Sequence, residues 1–538
     1  MKEVFYGGDI LTMEDDVQVE AVLVTDGYVE AVGTKKEIFA LADSKTKFTD
    51  LRGKCLMPAF IDPHSHIVAY TKVLGRARLD ECCSFDDICD EIKRIMRSKP
   101  VTKDTWVVGT NYDEKLLIEK THPPKYVIDS VCPCNPCVIV HKNRKTGIIN
   151  SFAIRNLGFD LLNPQLPNAD GIYLQRDPNT GEFTGWIDGE VFEKLSPRWR
   201  ALTDDEIERQ LRMSQNSYIQ NGFTIVQEGL CFKKDLIILQ DLERKGLLKL
   251  DIYCYIDMVR DADYPLTVRE RDYEHLHLSG YKLILDGGPQ QRTAWVSKPY
   301  KTDPGNCGTH TYSDEQLIKL FTQAKENHLQ MIAHANGDLA CEQFVNTVEK
   351  VYGPSNKNYR PVLIHAQLVT NDQLVRCARM GIVVSFYNTN AYNWGDIHIR
   401  NLGELAYRCS PAKSALDLGV TFNFHQDTPA FPCDMITSIY YAVNRLTKSG
   451  QPMGLDERIP ILEALKACTI YAAKTYFIED KVGSIAVGKR ADFIVLNTNP
   501  LTMPPENLNK LKVITTIREG DVLFTKDAGS QSNCCNLI

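Results

Sequence analysis

The sequence predicts an α/β chain: a (β/α)8 barrel over residues 56–479, interrupted by a 70–200 insertion, with a small composite β-sandwich domain built from residues 1–55 and 480–538. Three observations predict it. Apolar strand-like runs alternate with amphipathic helices through the middle of the chain. Short alternating runs broken by tight turns occur at both ends. Residues of metal-ligating type fall just after several of the apolar runs.

The bulk properties agree. At 538 residues the chain is long enough for more than one domain, and 43% hydrophobic with 24% charged residues is an ordinary soluble globular composition. A net charge of -7, spread along the chain, suggests no nucleic-acid partner. No apolar run reaches the roughly 18 residues needed to span a bilayer, and Met1-Lys2-Glu3-Val4-Phe5-Tyr6 lacks the regions of a signal peptide. The expectation is a cytoplasmic protein with a small-molecule substrate, no membrane partner, and a homodimeric state by base rate. Its seventeen cysteines are expected to remain thiols. Cys132, Cys134 and Cys137 match no CxxC pair of pairs, and Cys535-Asn536-Leu537-Ile538 fits a prenylation box only formally, with a polar second residue and no upstream basic run.

Taken in order, Ala21–Val24 and Tyr28–Val32 flank Asp26-Gly27, the chemistry of a hairpin turn, and the tail repeats the pattern around 483–488 and 491–496. The first barrel strand is expected to run into Met57-Pro58-Ala59-Phe60-Ile61-Asp62-Pro63-His64-Ser65-His66. Seven further runs follow, at 223–226, 250–255, 281–285, 331–333, 362–364, 382–386 and 420–424. Ser313 with Gln316, and Thr370 with Gln373, read as capping boxes, and Gly381 as a helix stop.

A (β/α)8 barrel keeps its chemistry at the C-terminal ends of its strands. His64 and His66 follow the first run, His334 the fifth, His365 the sixth and Asp427 the eighth, while Lys282 lies in the fourth. Two histidines one residue apart on an extended strand face the same side and can share a divalent ion. One such histidine is more often a satisfied core residue, but four of the twelve, with a carboxylate, each at a strand end, form a pattern.

These residues resemble the amidohydrolase superfamily, and within it the amidohydrolase-3 group with the YtcJ-like proteins and N-substituted formamide deformylases. The likeness covers nearly the whole chain. It runs from Pro58–His66 through Gly109-Thr110-Asn111-Tyr112-Asp113, Asn150-Ser151, Lys282–Gly287 and Arg292-Thr293-Ala294. It continues through His334-Ala335-Asn336-Gly337-Asp338, His365-Ala366-Gln367, Asp427-Thr428-Pro429 and 483–492. The resemblance implies a zinc-type centre of one or two ions. His64, His66 and Asp427 would surround one, His334 and His365 a second, and Lys282 would bridge them as a carbamate; the alternative for Lys282 is an ion pair with a carboxylate such as Asp286.

A metal lowers the pKa of its water from about 15.7 towards 7, and Asp427 would take that proton and deliver it to a leaving nitrogen. The implied reaction is hydrolysis of an amide-like C–N bond in an N-acyl or N-formyl small molecule. Arg292 and Trp295 are candidates for substrate or oxyanion contact, with a surface ion pair and a packing role as alternatives. Two positions depart from the group. Lys145 stands where relatives carry a histidine, and is expected to meet an anionic substrate group. Ile364 stands where they carry a glutamate, which removes a partner that would orient His365. The rival readings are a metal-dependent deaminase, disfavoured because Ala-Asn-Gly-Asp and not a glutamate follows His334, an ester or lactone hydrolase, and a non-catalytic scaffold.

Overall fold

The computed structural model describes residues 1–98, 102–160, 167–200, 202–263, 273–354 and 358–526. The chain divides into two compact units, Met1–Val68 with Gln215–Ile538, and Ala69–Ser214.

In the first unit an eight-stranded parallel sheet runs in sequence order through Phe60–Ile61, Phe223–Cys231, Asp251–Asp257, Leu276–Ile284, Gln330–Ala335, Val362–His365, Val383–Phe386 and Phe422–Phe424. Among the described residues helices connect the second strand to the third and each strand from the fourth onwards to the next, which makes the unit an α/β barrel-like fold. Ser313 and Thr370 each accept the backbone N–H three residues on, while Gln316 and Gln373 reach back to the cap, so both helices begin at capping boxes; Gly381 ends the second in the left-handed region. Ile61, Ile225, Ile332, Val362, Ile364 and Val383 form one buried cluster with Ala472, Ala473, Tyr476 and Val482. The helix Ile470–Thr475 closes the end where strands begin: the side chains of Gln330 and Arg360 donate to the carbonyls of Thr475 and Lys474.

The strands of the two chain ends make one further eight-stranded sheet. Its order is Asp521–Thr525, Val513–Arg518, Phe493–Leu496, Cys55–Pro58, Lys2–Leu11, Gln18–Thr25 and Tyr28–Gly33, with Lys47–Asp50 also paired to Lys2–Leu11. Asp26 and Gly27 both take positive φ, 48° and 85°, as the two-residue turn between Thr25 and Tyr28 requires. One expectation is corrected. The run into His64 is not a single barrel strand: Cys55–Pro58 pairs with the terminal sheet, and only Phe60–Ile61 joins the barrel. Pro58 lacks the N–H that a continuous central strand would need.

The second unit contains a five-stranded sheet ordered Trp186–Asp188, Thr146–Ile149, Cys137–His141, Val107–Tyr112 and Ala77–Arg78. Among the described residues every cysteine is a free thiol, and no helix is long and apolar enough to cross a membrane. The terminal Cys535 motif lies outside the described residues.

Asp251, at the start of the third barrel strand, ties that strand to the terminal sheet. Its carboxylate meets Arg490 and Arg518 at 2.7 Å each, with His275 at 3.3 Å. Burial alone would raise this carboxyl, but His275 and the two guanidinium groups outweigh it and hold it well below its usual range. Asp251→Asn removes the carboxylate that the two guanidinium groups share but leaves Arg490 its pair with Asp492 and Arg518 its pair with Glu519, and is expected to cost about 1.5–3 kcal/mol at neutral pH. Because the folded pKa is depressed, the contribution is present above the unfolded value of 3.8 and fades as pH falls below it. Urea unfolding of both proteins checks this: the stability gap narrows from pH 7 to about pH 2, and a constant gap contradicts the assignment.

Candidate metal centre

Between the eighth and first barrel strands the sheet is joined by loop backbone. The Asp427 N–H donates to the His64 carbonyl at 3.0 Å and the His66 N–H to the Thr428 carbonyl at 2.9 Å, while the Gln426 N–H donates to Asp62 Oδ1 at 3.1 Å. This seam brings residues more than 350 positions apart side by side.

Across it, Asp427 Oδ1 lies 3.7 Å from His64 Nε2 and 3.2 Å from His66 Nε2. Two ligand atoms of one tetrahedral zinc-type ion stand about 3.3 Å apart, from metal–ligand distances near 2.0–2.1 Å, so one divalent ion fits this donor set. The group of His64, His66 and Asp427 is one of two in the described residues with that compactness. The other nitrogen of each ring has a partner: His64 Nδ1 is hydrogen-bonded to Gln227 Oε1 at 2.7 Å, and His66 Nδ1 faces the Glu228 carboxylate at an ion-pair distance of 3.6 Å. Gln227 is itself fixed by donating to the Pro63 carbonyl and to the Tyr476 hydroxyl.

Lys282 Nζ lies 3.2 Å from His64 Nε2 and is almost fully buried. Burial pulls its pKa down to about 7, against a smaller upward pull from Asp427. It does not pair with Asp286, whose oxygens accept the backbone N–H groups of Asn336, Trp295 and Gly337. The His334 and His365 rings meet edge to face, with centroids 4.4 Å apart. His334 Nε2 lies beside the Gly287 carbonyl and the Asn336 side chain, which makes Nδ1 the nitrogen available to a ligand.

Burial holds His64 and His365 neutral, the form that ligates. His66 is the exception: burial lowers it, but the Asp427 and Glu228 carboxylates prevail and raise it to about 9. For Asp427 burial acts upward, and His66, His425 and Lys282 together keep the carboxyl below its usual range, hence ionised. His365, Ala366 and Asp427 have positive φ of 71°, 45° and 54°. Such backbone costs on the order of 1–3 kcal/mol per residue and clusters where function demands it.

Three further residues were expected at the site, and of these Trp295 donates its backbone N–H to Asp286, whose Oδ1 lies 3.5 Å from His334 Nε2. Trp295 is half-buried against the His310 ring, and Arg292 is an exposed left-handed residue ending the turn Pro289–Gln291. Lys145 is exposed in the second unit, on the turn between Cys137–His141 and Thr146–Ile149. That unit holds the other compact donor group, Asp113, Glu114 and His141. Its members are already paired, Asp113 with Lys142 and Glu114 with His141 at 2.7 Å.

Sequence reasoning missed Gln227, Glu228, Tyr387 and His425. His425 precedes Asp427 by two residues, the same spacing as His64 and His66, and that repetition was the available signal. Tyr387 faces the Asp427 carboxylate, which together with burial keeps the phenol protonated.

Comparison with known proteins follows the same line. The sequence profile of the amidohydrolase family matches residues 47–524. The putative amidohydrolase YtcJ of Bacillus subtilis is 26% identical over 98% of this chain and 100% of its own length. The N-substituted formamide deformylase of Arthrobacter pascens is 25% identical over 94% of this chain and 95% of its own. An uncharacterized metal-dependent hydrolase of Pyrococcus furiosus superposes with a TM-score of 0.74 at 24% identity, covering 93% of this chain and all of that one, and so shares the fold. A profile match over most of the chain, on a barrel-like fold whose strand ends gather the expected donors, shows that this chain belongs to the amidohydrolase family.

Proposed function

We propose that this protein is a metal-dependent hydrolase that cleaves an amide-like C–N bond in small N-acyl or N-formyl compounds. The observation that carries the proposal is the meeting of His64 Nε2, His66 Nε2 and Asp427 Oδ1 at one-ion distances, beside the buried Lys282 amine.

His64, His66 and Asp427 would hold one zinc-type ion, and His334 with His365 a second. When bound, such an ion supplies hydroxide at neutral pH and polarises the scissile carbonyl. Asp427 is ionised, and accepts the water proton before handing it to the leaving nitrogen. Gln227 and Glu228 hold the first two imidazoles in place while the charge redistributes. With its pKa near 7, Lys282 is a neutral amine in a large share of molecules. A neutral amine adds to carbon dioxide: the N–C bond forms, one C=O electron pair moves to oxygen, and a proton leaves. The two oxygens of that carbamate would share one negative charge and would suit ligation of a divalent ion.

Elemental analysis tests the centre. Near two ions per chain are expected for wild type, with loss in both His64→Ala and Lys282→Ala. One ion that survives Lys282→Ala removes the lysine from the site, and no divalent ion even after supplementation overturns the enzyme reading in favour of a scaffold. A screen of N-formyl and N-acyl amines, read as released amine, then tests the bond class.

A second expectation concerns Gly229. A methyl group there would stand 2.4 Å from His64 Cε1, 2.5 Å from Nδ1 and 2.8 Å from Gln227 Oε1. Gly229→Ala therefore displaces both the ligand and its support, and is expected to weaken zinc binding about 10–100-fold while the circular dichroism spectrum stays native. Unchanged zinc affinity would show that His64 is not held where the ion needs it.

A further inference from the structure

Three polar side chains from the sixth, seventh and eighth strands form a buried chain beside the centre. His365 Nδ1 lies 2.9 Å from His425 Nε2, and His425 Nδ1 lies 2.7 Å from Ser385 Oγ. All three residues are buried. The Tyr387 ring stacks on His425, with centroids 5.0 Å apart and planes at 24°, and so fixes the imidazole plane.

The direction of these hydrogen bonds follows from what a ligand must do. With Nδ1 taken up by His425, His365 can offer only Nε2 to an ion, and Nε2 must then be unprotonated. The proton sits on Nδ1 and is donated to His425 Nε2. His425, accepting at Nε2, carries its own proton on Nδ1 and donates it to Ser385 Oγ. One tautomer is thereby set on each ring. Ile364, the residue before His365, packs in the apolar cluster and offers the ring no acceptor.

We infer that His425 is the positioning residue for His365, an imidazole acceptor supplied from just after the eighth strand. The inference rests on the metal-centre reading above. An imidazole brings no formal charge to the relay, so His365 is a weaker electron donor than a carboxylate partner would make it, and the ion it holds keeps more of its charge.

The test compares His425→Phe, which keeps a flat ring against Tyr387 but has no acceptor, with His425→Gln, whose Oε1 can accept near the Nε2 position. Zinc alone is the probe, titrated by competition with a chromophoric chelator, with thermal melting recorded in parallel. The Phe variant is expected to melt near wild type yet bind one ion about 10–100-fold more weakly, and the Gln variant to bind close to wild type. A Phe variant that keeps wild-type affinity for every ion overturns the inference. So does a Gln variant as impaired as Phe, since that marks a merely structural role. Wild-type protein that binds no zinc overturns the metal centre itself, and this assignment with it.

Discussion

The candidate metal centre depends on a seam of two backbone hydrogen bonds. Where the eighth barrel segment meets the first, Asp427 donates to His64 and Thr428 accepts from His66. These bonds do for the loops what ladder bonds do for strands, and they set the register between two segments far apart in sequence. Because side chains alternate along extended backbone, fixing that register fixes which groups face inward. The seam brings the backbones of His64, His66 and Asp427 together, while Gln227, Glu228 and the left-handed turn at Asp427 set how the side chains are aimed.

Around the seam the balance between burial and charge decides the state of each group. Burial drives most of the imidazoles and the Lys282 amine towards neutrality, which leaves nitrogen lone pairs for ligation. The one carboxylate among the donors resists burial because cationic and polar neighbours surround it. The left-handed backbone at His365 and Asp427 is tolerated because barrel strands on both sides leave these residues little alternative. A rigid barrel thus holds a locally unfavourable arrangement in place for chemistry.

Much of this was legible from the sequence, for identifiable reasons. The strand-end histidines stood out because each follows an apolar run that can only be buried, and the capping boxes marked helix starts to the residue. What stayed hidden was polar and buried at once. The second barrel strand continues through Gln227 and Glu228 to Cys231, yet its apolar run ends at Val226, because residues that serve the site look like an exit into solvent. His425 was passed over for a related reason: its partners, His365 and Ser385, are contributed by other strands, and no local pattern announces them. The division of the first strand between two sheets was equally invisible, since Cys55–Pro58 and Phe60–Ile61 are apolar alike and only their partners differ.

That division bears on how the protein is made. Cys55–Pro58 has one neighbour close in sequence, Lys2–Leu11, but its other neighbour is Phe493–Leu496, and on the ribosome that second pair emerges more than 400 residues apart. Until then the N-terminal strands have an unpaired apolar edge, the kind of surface that invites misassociation in nascent chains. The segment that leads into His64 and His66 is held from one side by the terminal sheet and from the other by the barrel. The loop that carries His64 and His66 therefore gains its full frame only once Phe493–Leu496 has joined the sheet, and a chain arrested before that strand would carry the histidines without one side of the frame that aims them.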